Sequence, residues 1–128
     1  MDKTASYLPF ELVNPVTTPD LNPAEVQVSV HHAVTGLPIS PLTNLEQRYW
    51  QVLRYGASNV SSWQVRLTAP SVTAGSLIGQ STTTPSGAYS SIGGTVAIPQ
   101  VTSALQTSNL PLTSYYAIGF ASPPGAFN

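Results

Sequence analysis

The chain has 128 residues, four basic and five acidic side chains, two histidines and no cysteine, for a formal net charge of −1. That length supports one domain around a single core. The lack of cysteine excludes disulfides and thiolate metal sites, and the charge balance gives no strong pull toward nucleic acid or acidic membranes. Charged residues are 7% of the chain, against roughly 25% in ordinary soluble domains. Ser, Thr, Pro and Gly take their place. Disordered chains usually combine low hydrophobicity with high net charge, and this chain lacks the second. No stretch approaches the ~20 apolar residues of a membrane span, so no membrane partner is expected. Met1-Asp2-Lys3-Thr4 has no apolar run, so no encoded export signal is expected either.

Residues 1–6 read as a loose arm. In residues 7–13, Leu8, Phe10 and Leu12 alternate with Pro9, Glu11 and Val13, a strand that Pro9 restricts to a sheet edge. Residues 14–23 hold Asn-Pro twice and read as a turn-rich loop. Residues 24–34 show the cleanest alternation in the chain. Val26, Val28, Val30, His32 and Val34 share one face, and Glu25, Gln27, Ser29, His31 and Ala33 the other. Thr35-Gly36-Leu37-Pro38 ends that strand.

Residues 45–69 hold both tryptophans and three of the four basic residues. Their first part has two readings. Trp50-Gln51-Val52 echoes Trp63-Gln64-Val65, which suggests two paired strands around a loop at 56–61. A short helix near 44–55 fits the spacing better. Leu45, Tyr49, Val52 and Leu53 then share one face, Thr43 and Glu46 have capping-box spacing, and Gly56 sits at a helix stop. Aromatic and β-branched content favours the strand. The second part is plain: Trp63, Val65, Leu67 and Ala69 alternate with Ser62, Gln64, Arg66 and Thr68 until Pro70.

No Asp, Glu, Lys or Arg follows Arg66. Residues 71–80 allow a short strand around Leu77-Ile78, and residues 81–91 read as a long surface loop. Gly93-Gly94 precedes residues 95–101, where Val96 and Ile98 alternate before Pro99. Residues 102–108 allow a helical turn, residues 112–121 a last strand, and residues 122–128 a tail. Short strands between Pro and Gly turns predict a mainly β chain, an antiparallel β-sandwich or jelly-roll-like single domain over 1–128.

Candidate chemistry is sparse. His31 and His32 are adjacent on a strand and point to opposite faces, so they do not chelate one metal together. A metal site needs three or four convergent ligands, and no metal or other cofactor is expected. There is no Gly-x-Ser-x-Gly elbow, and Glu11, Asp20, Glu25 and Glu46 have no spacing that recommends an acid pair. Gly93-Gly94 lacks the lysine of a phosphate loop. No catalytic residue is expected and the chain is read as a non-enzyme, with a small hydrolase using His31 or His32 as the least favoured alternative. Arg48, Arg54 and Arg66, beside Tyr49, Trp50 and Trp63, are the candidate nucleic-acid contacts. The same aromatics are a candidate sugar platform, but a Trp between Val and Leu more commonly packs in a core. Asn59-Val60-Ser61 matches a glycosylation sequon.

Low charge, abundant Ser, Thr and Pro, alternating strands and an uncharged second half resemble virion structural proteins. Within that class the chain is similar to coat proteins of small single-stranded RNA bacteriophages. Phe10-Glu11-Leu12-Val13 resembles their opening strand, and Val65-Arg66-Leu67-Thr68-Ala69-Pro70 a middle strand ending at proline. Val96-Ala97-Ile98-Pro99 resembles the strand before their C-terminal helices. The resemblance implies a self-assembling shell or decoration subunit located in a virion, with copies of itself and other virion proteins as partners; nucleic acid is a further candidate partner through Arg48, Arg54 and Arg66 alone. A carbohydrate-binding or adhesive β-domain is the alternative. The expected interface lies in residues 105–127, at Leu105, Leu110, Leu112, Tyr115, Tyr116, Phe120 and Phe127, with residues 1–15 as a second candidate.

Overall fold

A computed structural model of the chain describes residues 10–18, 24–31, 36–39, 41–46, 48–56 and 59–120. The arm expected at 1–6 and the tail expected at 122–128 lie outside the described residues. Eleven strands run in chain order: β1 (Phe10–Thr18), β2 (Ala24–His31), β3 (Leu37–Pro38), β4 (Asn44–Leu45), β5 (Tyr49–Gly56), β6 (Asn59–Thr68), β7 (Ser76–Ser81), β8 (Ala88–Ser91), β9 (Thr95–Ala97), β10 (Gln100–Thr102) and β11 (Thr113–Phe120). They form two facing sheets, a four-stranded one in the order β1-β6-β10-β9 and a larger one in the order β2-β5-β11-β7-β8-β3. Every pair is antiparallel except the two-residue β3–β8 contact. The expected mainly β sandwich is therefore the observed architecture.

Period-two alternation builds the main core. β6 turns Trp63, Val65 and Leu67 inward, followed by Ala69, while Ser62, Gln64, Arg66 and Thr68 stay partly exposed. Phe10 and Leu12 of β1 pair with Leu67 and Val65 and pack on the same layer. Across from them, the larger sheet contributes Trp50, Val52, Ile78, Tyr116 and Ile118. The Trp-Gln-Val echo has a different cause from the expected one. β5 and β6 are both strands, but they belong to facing sheets and do not pair with each other. Each offers a Trp and a Val to the shared core. At ~25 cal/mol per Å² of apolar surface removed from water, these two tryptophans are among the largest single contributions to folding.

Among the described residues of 44–55 the expected helix is not present; β4 and β5 lie there instead. Both run along one edge of β11. Leu45 pairs with Gly119, and Trp50 pairs with Tyr116. Between them, Glu46 N–H donates to the Ile118 carbonyl at 2.9 Å and Arg48 N–H to the Glu46 carbonyl at 2.8 Å. Leu45 and Tyr49, four residues apart, both pack against a second cluster of Leu42, Tyr89, Tyr115 and Ala117. That produces helical spacing without a helix. Thr43 does not cap anything; its Oγ1 donates to the Phe120 carbonyl at 3.0 Å.

Three loop readings also change. Asn14-Pro15, expected in a turn, lies inside β1, where two residues bulge opposite one residue of β6. The proline's missing donor is tolerated at a bulged sheet edge. The expected loop at 81–91 contains β8, anchored by Tyr89, which is fully buried and donates its phenol to the Pro85 carbonyl at 2.9 Å. Residues 102–108 make no helical turn. They continue β10 as an irregular strap along β6, bonded by Ser103 to Val65, by Gln106 to Trp63, and by Leu110 to Val60. The strap then crosses to the other sheet, where Arg54 N–H donates to the Leu112 carbonyl at 2.9 Å. Among the described residues after Pro99 there is no helix, where the phage-coat resemblance places C-terminal helices.

Candidate functional site

The three candidate arginines occupy different places. Arg66 lies on the open face of β6, where its Nε donates to Thr102 Oγ1 at 3.1 Å and its Nη1 to Glu11 Oε1 at 3.4 Å. Arg54 is near the end of β5, and its Nε donates to the Leu110 carbonyl at 2.9 Å, closing the strap against the sheet. Arg48 is six residues earlier, roughly 20 Å along an extended chain. Its Nη1 donates to Glu46 Oε1 at 3.0 Å, and its Nε is buried. Each guanidinium holds a piece of its own chain. The structure does not bring the three together as one basic patch, and neither Trp50 nor Trp63 reaches the surface for a base or a sugar to stack on.

His31 closes β2 on the outer face of the larger sheet. Its ring stacks on Tyr49 with centroids 4.9 Å apart, and its Nε2 shares a hydrogen bond with Ser29 Oγ at 2.9 Å. Residues two apart on a strand share a face, which is why the two side chains meet. A Ser–His contact is the beginning of an acyl-transfer site, but that chemistry also needs an orienting group on the histidine and donors for the oxyanion. No third member is found with this pair among the described residues, and the pair stands on an exposed strand. His32 lies outside the described residues. No group of three or more His, Asp or Glu side chains converges among the described residues.

The expected interface residues divide. Leu110 and Tyr116 are fully enclosed in the main core, and Tyr115 is buried in the outer cluster. Their role is a correction: β11 is a central strand covered on both faces by its own chain, so its apolar run serves the monomer. Phe120 packs at the margin of the core, and Phe127 lies outside the described residues. Leu105 and Leu112, on the strap, are exposed. Six other large apolar side chains join them at the surface: Val16, Val28, Leu37, Ile39, Tyr55 and Ile98. Sequence reasoning missed most of these. The one available signal was Val28, which lies on the apolar face of a strand whose place at a sheet edge the sequence does not give.

Burial changes two phenols. Tyr116 is enclosed at the centre of the larger sheet, and desolvation raises its pKa, opposed by hydrogen bonds from Ser114 and Gln80, both 3.0 Å from its oxygen. Tyr89 is raised far above the usual phenol range, by desolvation first and by the nearby Tyr49 and Tyr115 second. Both stay protonated at any physiological pH, which makes them structural hydrogen-bonding groups and not acid–base catalysts. No protein-family model, curated protein or solved structure matches the chain.

Proposed function

We propose that the chain is a self-assembling structural subunit of a virus or phage particle, as shell or as surface decoration, and that it works by covering its uncharged surface with copies of itself. The observation that carries this reading is the use of the charges. Glu46 pairs with Arg48, Glu11 with Arg66, and Arg54 holds the Leu110 carbonyl. These five ionic groups tie the chain to itself. The described surface also carries eight exposed large apolar side chains among uncharged polar and small residues. Such a surface offers little repulsion between copies. An obligate interface of ~2,000 Å² or more, about two-thirds apolar, supplies roughly 30 kcal/mol of gross burial free energy. That exceeds the ~4–15 kcal/mol lost on association.

The β-sandwich supports this reading without being specific to it, because the same architecture carries many functions. The sugar-binding alternative has less support, since the two tryptophans it relied on are core residues. Light scattering on the purified chain tests the proposal. Uniform multimers support it, and a monodisperse monomer at micromolar concentration overturns it.

A further inference from the structure

The two sheets have four outer edges, and three of them are short or interrupted. β1 carries the Asn14-Pro15 bulge. β9 has three residues, and β3 has two, one of them Pro38. Bulges, prolines and short strands are the usual means of stopping edge-to-edge pairing. β2 has none of these. It is eight residues long, pairs with β5 in unbroken register from Ala24 to His31, and has β5 as its one neighbour among the described residues. Val28, at the middle of its core-facing side, is 41% exposed, although Val26 and Val30 on either side pack against the core.

We infer that β2 pairs antiparallel with β2 of a second copy across a two-fold axis at Val28, joining the two larger sheets into one. Register selects this partner. Residues directly opposite one another share a face, so the valine face stays continuous only if even positions meet even positions. Centring on Val28 does this, with Val28 facing its own copy, Val26 facing Val30, and Gln27 facing Ser29. It also sets Glu25, a carboxylate position, opposite His31, an imidazole position, at both ends. Centring on Gln27 instead keeps the faces but places Glu25 against Ser29 and leaves His31 with no residue of β2 opposite it. The strand is thus self-complementary in its pattern of apolar and polar positions about one residue, as a two-fold contact requires. This interface rests on the assembly reading and names the first contact in it.

The chain has no cysteine, so a single introduced thiol cross-links only to another copy. In the proposed pair the two Val28 Cα atoms lie ~4.5–5.5 Å apart, within disulfide range. Val28→Cys under mild oxidation is expected to form a covalent dimer at least about tenfold faster than Leu112→Cys, because pairing raises the local thiol concentration. Equal rates overturn the inference. Val28→Lys provides a second reading. The inference expects it to reduce the assembled mass while circular dichroism keeps the strand signal, and unchanged assembly overturns it. Rapid Val28→Cys dimers without larger species would keep this interface and remove the particle reading. Large assemblies that ignore both variants would do the reverse.

Discussion

Tyr89 and Tyr116 are the residues whose ionisation folding alters most. Each has a raised pKa in the folded chain because burial penalises the phenolate. The unfolded chain ionises both near the usual value of ~10 while the folded chain still holds the protons. Above that pH the unfolded state binds fewer protons than the native state, so their contribution to stability is present below pH ~10 and is lost as pH rises beyond it. Urea midpoints are expected to fall more steeply above pH ~10 for the wild type than for Tyr89→Phe, and parallel curves would contradict the assignment. The tryptophans give a second residue-scale test. Trp63 is 1% exposed and donates Nε1–H to the Ser108 carbonyl at 2.8 Å, so Trp63→Ala is expected to cost ~3–5 kcal/mol in chemical denaturation. Arg66→Ala removes an ion pair that is largely open to solvent and is expected to cost less than ~1 kcal/mol.

Elements turn on how closely the backbones approach. Gly94, at the entry to β9, lies against β7, and a methyl group there would meet the Ser76 carbonyl oxygen at 2.6 Å and Leu77 Cα at 2.9 Å. Both are backbone atoms and cannot rotate away. Gly75, in the turn before β7, has open space instead. Gly94→Ala is expected to lose ~1–3 kcal/mol from overpacking, and Gly75→Ala to stay within about 1 kcal/mol of neutral. Thermal melts of the two variants check this, and equal effects would count against the described approach of β9 to β7. The same scale explains what could be read from the residues alone. β6 and β2 were legible because each has one wet and one dry face. β5 was not, because Leu45 and Tyr49, four residues apart, both pack against an outer apolar cluster instead of facing solvent. β11 was legible as a strand but not as a central one. A run that is apolar on both faces looks the same whether a partner subunit or the chain itself covers it. β8 was hidden in a Ser- and Thr-rich stretch, where the one buried apolar side chain is Tyr89. Edge order depends on pairing between distant segments, so neither the open side of β2 nor the exposure of Val28 had a local signal.

For the molecule as a whole, three features of the described residues belong together: a two-sheet core, three arginines held in internal contacts, and one long sheet edge with β5 as its one neighbour. The core accounts for the apolar run of β11, whose side chains are buried within the chain. The surface explains why the folded chain is expected to associate afterwards through apolar contact and backbone pairing, with little contribution from charge. Such association survives screening, because a Debye length of ~3 Å at 1 M salt weakens ionic contacts and leaves apolar burial intact. The most direct measurement is size-exclusion chromatography with light scattering at micromolar concentration, in low salt and in high salt. The account predicts a mass that is a defined multiple of the 13.5 kDa chain, retained or increased in high salt. A 13.5 kDa species at both ionic strengths, or a multimer that dissolves to monomer in high salt, would contradict it.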